Sequence, residues 1–130
     1  MAAISAFAQK KLLDFVCGGA APSPPAAQFV GLAWGTPTPT GGSEISSTFG
    51  ISRMSIGFGA AASPAGSASN TAPMTWASVL SACSILGLQL WDGSDINASM
   101  WLHATLQTAR TLGIGDSLYI PAGGITVTLS

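Results

Sequence analysis

The first apolar residues of the chain recur at the spacing of an amphipathic helix. Steps of three and four residues connect most members of this stripe, which are Ile4, Phe7, Ala8, Leu12, Phe15 and Val16. Gly18 and Gly19 then supply a helix stop, and the prolines from Pro22 onward prevent a restart. The pattern predicts one short N-terminal α-helix within residues 1–19, followed by a proline-rich connector at residues 20–26.

From residue 27 onward, apolar and polar residues alternate in short runs, which is the period of a β-strand. Clusters of Gly, Pro, Asn and Asp separate the runs and predict turns. The expected strands lie at residues 28–34, 54–58, 74–76, 86–90, 100–107, 118–120 and 125–129. Because the last two flank the turn Pro121–Gly124, we expect them to form a hairpin.

No second helical pattern interrupts these strands, so alternating βαβ units with a parallel sheet are not expected. The chain is predicted to be mainly β, an antiparallel β-sandwich or jelly roll over residues 27–130 with one short N-terminal α-helix. On this division the helix serves as a docking arm or as a cap on the sandwich.

Charge is scarce along the whole chain. Only 7% of its residues are charged, against about 25% in ordinary soluble domains. The net charge of -1 provides no basic surface for nucleic acid or for an anionic bilayer. No run of residues is apolar enough to span a membrane, and Lys10 and Lys11 do not fit a signal peptide. We therefore expect neither nucleic acid nor a membrane as partner, and a surface covered by other subunits.

Short motifs that resemble chemical sites lack the residues that such sites need. Gly115–Leu118 matches the four-residue string of a class of serine esterases, but no acidic residue or His follows the string, and the sole His, His103, lies upstream of it. Asp92 and Asp95 lack the later acid of a Ca²⁺ loop. Gly57–Gly59 precedes no helix that could bind a dinucleotide. We expect no catalytic, cofactor-binding or metal-binding residues, and turns at the Asp-containing strings.

The cysteines and tryptophans leave alternatives open. Cys17 and Cys83 are expected mainly as buried free thiols, with a disulfide within or between chains as the alternative. Four tryptophans at strand positions are expected to fill the core or an interface, while a sugar-binding platform is the alternative; they are Trp34, Trp76, Trp91 and Trp101.

Several short strings together resemble a family of small tailed-bacteriophage virion proteins. The resemblance runs from Leu12 to Leu129 and is carried by Leu12–Phe15 before Gly18–Gly19, Pro24–Pro25 before Phe29–Leu32, Arg53 before Ile56–Gly59, Ser69–Asn70 before Met74, and Gly115–Gly123. The family often has an aromatic residue two positions before the matching arginine, where this chain has Ile51.

The resemblance implies a structural function without enzymatic activity. It implies a capsid decoration or cement protein on the outer surface of the virion, made in the host bacterial cytoplasm. The expected partners are the major capsid protein and copies of the chain itself, as a dimer or trimer. The alternatives are a neck, collar or tail component and, from a different class, a carbohydrate- or receptor-binding module. We expect the interface at Phe7, Leu12, Phe15 and Trp34.

Overall fold

A computed structural model describes residues 2–21, 23–62 and 66–128 of the chain. In these ranges the helix α1 spans Ala6–Val16, and a single 3-10 turn spans Ser47–Phe49. The strands are β1 (Ala2–Ile4), β2 (Phe29–Ala33), β3 (Met54–Ser55), β4 (Ser67–Ser69), β5 (Met74–Trp76), β6 (Cys83–Trp91), β7 (Met100–Leu112), β8 (Leu118–Ile120) and β9 (Thr126–Thr128). The α1 helix is too short to span a bilayer, and no other helix in the described ranges is long and apolar enough to do so.

The strands pair in an antiparallel manner throughout. Five of them form one sheet in the order β1-β7-β6-β2-β3, while β4 with β9 and β5 with β8 form two-stranded ribbons. The predicted class, mainly β and antiparallel with one short N-terminal helix, is confirmed. The jelly-roll topology remains a prediction, as does the division into residues 1–19, 20–26 and 27–130.

The longest pairing, between β6 and β7, defines the two ends of the molecule. Trp91 pairs with Met100 at one end, called here the proximal end, and Cys83 pairs with Leu112 at the other, called the distal end. Because β6 has nine residues, the ends lie about 26 Å apart at 3.3 Å per residue.

The core lies on one face of the five-stranded sheet. Val30 and Leu32 of β2 pair with Leu90 and Leu88 of β6, and all four pack into the same cluster. Residues from the ribbons and loops complete it; the buried members are Ile45, Ile51, Ile56, Met74, Trp76, Val79, Ile85 and Leu112.

Alternation along the expected strand 86–90 places Leu86, Leu88 and Leu90 on one face. This prediction is wrong for Leu86. Ile85, not Leu86, joins the core cluster together with Leu88 and Leu90. The reason is a register shift between Ile85 and Gly87 against β7, which changes the face that the following residues occupy. The β7 strand also continues to Leu112, beyond the expected end at residue 107.

The predicted C-terminal hairpin is also wrong, because β8 pairs with β5 and β9 pairs with β4. Asn70, only 3% exposed, holds the turn between them. Its Nδ2 donates to Pro121 O (3.0 Å) and Ala72 O (2.8 Å), and its Oδ1 accepts from Ile125 N–H (2.8 Å). Asn70 satisfies backbone groups of this turn from a distant part of the chain. The turn therefore forms without pairing between the two strands that flank it.

Arg53, Glu44 and Trp91 form a clamp of charged and aromatic side chains at the proximal end of β6. The Arg53 guanidinium forms two hydrogen bonds to the Glu44 carboxylate, at 2.7 and 2.8 Å. It also lies 3.6 Å from the centroid of the Trp91 ring and donates to Asp95 O at 2.8 Å. The clamp therefore joins the loop after β2, β6 and the turn after β6.

Some expectations lie outside the described residues. These are the role of Pro22 in preventing a restart of the helix, and Leu129 in the last strand.

Candidate interaction surface

The first turn of α1 is anchored on the proximal end of β7. Ser5 is the N-cap: its Oγ accepts from Ala8 N–H at 3.1 Å and donates to Met100 O. Its backbone N–H donates to Trp101 O at 2.9 Å. The Phe7 ring meets the Trp101 ring edge to face, with centroids 5.4 Å apart. Four contacts therefore fix where the helix begins.

The helix ends where Gly18 and Gly19 predict. Gly18 adopts φ +86°, a left-handed conformation that favours glycine. Its N–H donates to Phe15 O at 3.3 Å, and Gly19 N–H donates to Asp14 O at 2.6 Å, which is the pattern of a Schellman motif. Ile4, expected on the helical stripe, instead lies in β1 opposite Leu102 of β7.

Most of the apolar side of α1 faces solvent. Ala8 is the only buried residue of the helix. The second half exposes four large apolar side chains, called here the α1 face: Leu12 (51% exposed), Leu13 (62%), Phe15 (54%) and Val16 (72%). Lys10 is bound to Asp14 at 2.6 Å on the same helix. Large contiguous apolar patches are uncommon on the surface of monomeric soluble proteins.

The α1 face belongs to the proximal end of the molecule. A shallow cavity lined by Lys11, Asp14, Pro24, Asp92 and Trp101 separates the helix from the connector and the sheet. Asp14 and Trp101 lie on the same cavity, so the second half of α1 remains beside the end of the sheet at which the helix begins.

A second group of exposed apolar side chains lies at the distal end, and is called here the distal patch. It consists of Trp34 (60% exposed), Leu80 (64%) and Ile114 (76%). Trp34 lines a cavity with Phe49 and Cys83. Leu80 N–H donates to Phe49 O at 2.9 Å.

Backbone hydrogen bonds join the loops that carry the patch. Val79 N–H donates to Asp116 O at 2.9 Å, and Gly115 N–H donates to Val79 O at 2.7 Å. These bonds hold the loops of Leu80 and Ile114 side by side.

The four residues expected at an interface are therefore not on one surface. Phe7, Leu12 and Phe15 lie on α1, whereas Trp34 lies at the distal end. Phe7 is partly covered by Trp101 and is the least exposed of the four, at 36%. Sequence reasoning did not identify Leu80 and Ile114, because a single apolar residue in a loop gives no periodic signal.

The motif residues occupy structural turns. Asp116 Oδ2 accepts from Gly113 N–H at 2.8 Å, and Ser117 Oγ accepts from Ser78 N–H at 3.3 Å. His103 lies in the part of β7 nearer the proximal end, opposite Gln89. Burial lowers the pKa of His103, and its Nε2 has no hydrogen-bond partner within the described part of the chain. Ser117 follows the distal end of β7, so the two do not form a nucleophile and base pair.

The expected Asp92 turn is confirmed. Asp92 Oδ1 accepts from Ser99 N–H at 2.7 Å, and Asp95 Oδ1 accepts from Asn97 N–H at 2.8 Å. Among the described residues, no three His, Cys, Asp or Glu side chains come together as a metal site would require.

The four tryptophans lie in different surroundings. Trp76 is buried, and its Nε1 donates to Ser52 O at 2.8 Å. Trp91 lies beneath Arg53, Trp101 contacts Phe7, and Trp34 is at the distal end. The expected place in the core is confirmed for Trp76, and a sugar-binding platform remains an untested alternative.

Both cysteines are free thiols, and no disulfide links them within the chain. Cys17, the C-cap of α1, is exposed, so its expected burial is wrong. Cys83 is half-buried, and burial raises the pKa of its thiol.

Comparison with known proteins identifies the family to which the chain belongs. Residues 3–128 match the model of a family described as "Podophage GP4 fiber I protein gp80". No curated protein matches the chain significantly. The match covers nearly the whole chain, including α1, the sheet and both ribbons, and it agrees with the resemblance seen in the short strings. The chain therefore belongs to the podophage GP4 fiber I protein gp80 family, and it is a structural protein of the tailed-phage virion.

Proposed function

We propose that this chain is a non-enzymatic subunit of the phage fiber, held in the virion through the α1 face. The observation that carries the proposal is a helix fixed at its first turn whose second half exposes Leu12, Leu13, Phe15 and Val16 to solvent. Burying the exposed part of one such side chain contributes about 1–2 kcal/mol. The four together favour attachment through this face.

The form of the helix supports this assignment. A helix of 11 residues is marginal alone in water, so its exposed half gains stability from a neighbour. The capping of α1 at both ends, by Ser5 and by the glycines, sets the face in one orientation before binding. A surface prepared in this way is typical of a docking element rather than of a mobile tail.

The scarcity of charge supports a position inside an assembly. Of nine charged side chains, four are used internally, in the Lys10–Asp14 and Arg53–Glu44 ion pairs. Surface buried between subunits requires few charges, and the centres of such interfaces are depleted of them. The turn roles of Asp92 and Asp116, and the separation of Ser117 from His103, support a structural rather than an enzymatic function.

The location in the particle is part of the proposal. We favour the fiber because the family's description is that of a fiber protein. Capsid decoration, in which the chain would bind the major capsid protein on the outer surface, would use the same apolar face. So would a neck, collar or tail position.

Copy number separates these locations. We expect isotope-labelled peptide quantitation of purified particles to find this chain at a small fraction of the copies of the major capsid protein. A ratio close to one would contradict the fiber and support decoration of the capsid. Absence of the chain from the particles would contradict a structural role altogether.

A further inference from the structure

We propose that copies of this chain exchange their N-terminal arms, so that the arm of one copy occupies on a second copy the place that it has on its own chain. The arm is defined here as β1 and α1, residues 2–16, and the described chain from β2 onward is called the body. The inference rests on the proposed function and names a partner of the α1 face, which is a second copy of the chain.

The arm is bound to the body through its first half. In β1, Ala2 pairs with Ala104 of β7. The backbone N–H of Ala6 donates to Pro39 O at 2.9 Å, and the Ser5 contacts described above hold the first turn of α1. Residues 9–16 form no hydrogen bond to the described part of the body. The contacts that position the arm are therefore local, and the β7 strand of a second body offers all of them.

The segment between α1 and β2, residues 17–28, has few bonds that hold it in one path. Between Gly19 and Gln28 no described residue forms a backbone hydrogen bond, and every described residue there except Pro25 is exposed. Prolines keep such a segment extended at about 3.1 Å per residue, so its reach is about 37 Å. This reach exceeds the length of about 26 Å between the proximal and distal ends.

Within one chain the segment has only a short gap to cross. Phe29, the first residue of β2, pairs with Trp91 at the proximal end, and α1 begins beside Trp101 at the same end. The helix has 11 residues, so its far end lies about 16 Å from its start. A segment that reaches about 37 Å is about twice as long as this return requires. The cavity of about 380 Å³ between Lys11, Pro24 and Trp101 is the space that the slack leaves.

Exchange places the α1 face between two bodies. In an exchanged pair the segment crosses from the proximal end of one body to the proximal end of the other, because β2 begins at that end. The α1 face precedes the segment directly in the sequence, so it lies at the crossing. Both copies exchange the same element, and a two-fold axis relates them. Apolar side chains that one chain exposes are then covered in the pair.

The contacts of the arm do not oppose exchange. Each arm forms on the second body the β pairing and hydrogen bonds that it forms on its own, so these contributions cancel between the two states, as in domain swapping. The loss of freedom on association opposes the pair, and burial of the α1 face favours it. The exchanged fraction therefore rises with the local concentration of the chain, which is high inside an assembly.

A disulfide between two kinds of chain tests the exchange. Cys17 and Cys83 are first replaced by Ser in both; one kind then carries Ala2→Cys, and the other, which has a tag of different mass, carries Ala104→Cys. These positions are opposite in the β1–β7 register. The two are mixed, unfolded in urea, refolded at high concentration and oxidised. We expect disulfides between the two kinds, at about twice the monomer mass of 13.0 kDa, to exceed those within one kind by at least about tenfold, since paired Cα atoms lie about 5 Å apart.

A matched control moves the second cysteine to the distal end. Ile114 is 76% exposed, so Ile114→Cys presents a thiol that is accessible but not opposite β1. Mixed with the Ala2→Cys chain, it is expected to give no excess of disulfides between the two kinds. Circular dichroism shows that each variant is folded; if Ala104→Cys is not, the pair Ala3→Cys and His103→Cys replaces it, since Ala3 is opposite His103.

A chain that carries both cysteines of a pair makes a negative result decisive. If this chain closes the disulfide within single molecules and the mixture gives no excess over the Ile114→Cys control, each arm stays on its own body and the inference is wrong. If neither forms a disulfide, β1 does not lie on β7 in solution, and the inference is wrong as well.

The proposed function is judged separately, in particles. If the mixture gives no excess but a variant with Leu12→Asp and Phe15→Asp is missing from virions, the α1 face binds another virion protein and the proposed function remains. If exchange is found but that variant has normal occupancy in virions, the proposed function fails and the exchange remains.

Discussion

Replacing Leu12 and Phe15 with Asp removes the chain from phage particles and leaves its sheets folded. The two side chains are 51% and 54% exposed, so the isolated chain loses little by the change. In an interface the variant loses about 1 kcal/mol per apolar side chain, because about half of each is left to be buried, and each carboxylate adds a desolvation penalty of several kcal/mol. Attachment is weakened by a factor of at least about 100. Quantitation of the chain in particles assembled with the variant measures the loss.

The matched control carries the same kind of substitution at a site outside the interface. Ile96→Asp introduces one carboxylate at a side chain that is 95% exposed, and its occupancy in particles is expected to equal that of the unaltered chain. Normal occupancy of the Leu12→Asp, Phe15→Asp variant would show that the α1 face is not the attachment surface.

Replacing Asn70 with Ala lowers the free energy of unfolding by about 3 kcal/mol or more, since each buried polar group left without a partner costs about 1–3 kcal/mol. The change removes both donated bonds, to Ala72 O and Pro121 O, and the bond accepted from Ile125 N–H. These groups join the turn before β9 to the loop after β4. Urea unfolding followed by tryptophan fluorescence gives the difference.

Asn97 provides the control for this change. It is exposed, and its side chain makes no hydrogen bond to any described residue. Asn97→Ala is expected to change the free energy of unfolding by less than about 0.5 kcal/mol. If Asn70→Ala had an effect as small as that of Asn97→Ala, the account of the turn would be wrong.

Local patterns in the sequence predicted the positions of the helix and the strands better than they predicted which strands pair. The helix stop at Gly18–Gly19 and the strand at Met74–Trp76 depend on neighbouring residues and were predicted. The pairing of β8 with β5 depends on Asn70, which is 51 residues before Pro121. No local sequence pattern indicates a contact between residues so far apart in the chain. The register shift at Ile85 was not predicted for the same reason, because it depends on the pairing with β7.

The candidate surface could be predicted in part. The apolar stripe of α1 was visible in the sequence as a helical period. A helix packed on a core shows the same stripe, so the period does not tell whether the stripe is buried or exposed. Only the structure shows that Ala8 alone is buried while Leu12 and Phe15 are exposed. Trp34 was expected at the same interface, and the structure places it away from α1, on a cavity with Phe49 and Cys83. Exposure depends on how the whole chain folds, and for that reason composition could indicate an interface but not its location.

Cys17 allows a direct measurement of whether the α1 face is covered in the particle. Cys17 is the C-cap residue of the helix, and its exposed thiol lies next to Val16 and two residues after Phe15. The half-buried Cys83, whose thiol pKa is raised by burial, serves as an internal reference. We expect a maleimide to label Cys17 rapidly in the isolated monomeric chain and much more slowly in intact virions. Equal labelling of Cys17 in both would contradict the claim that this chain is held in the particle through α1.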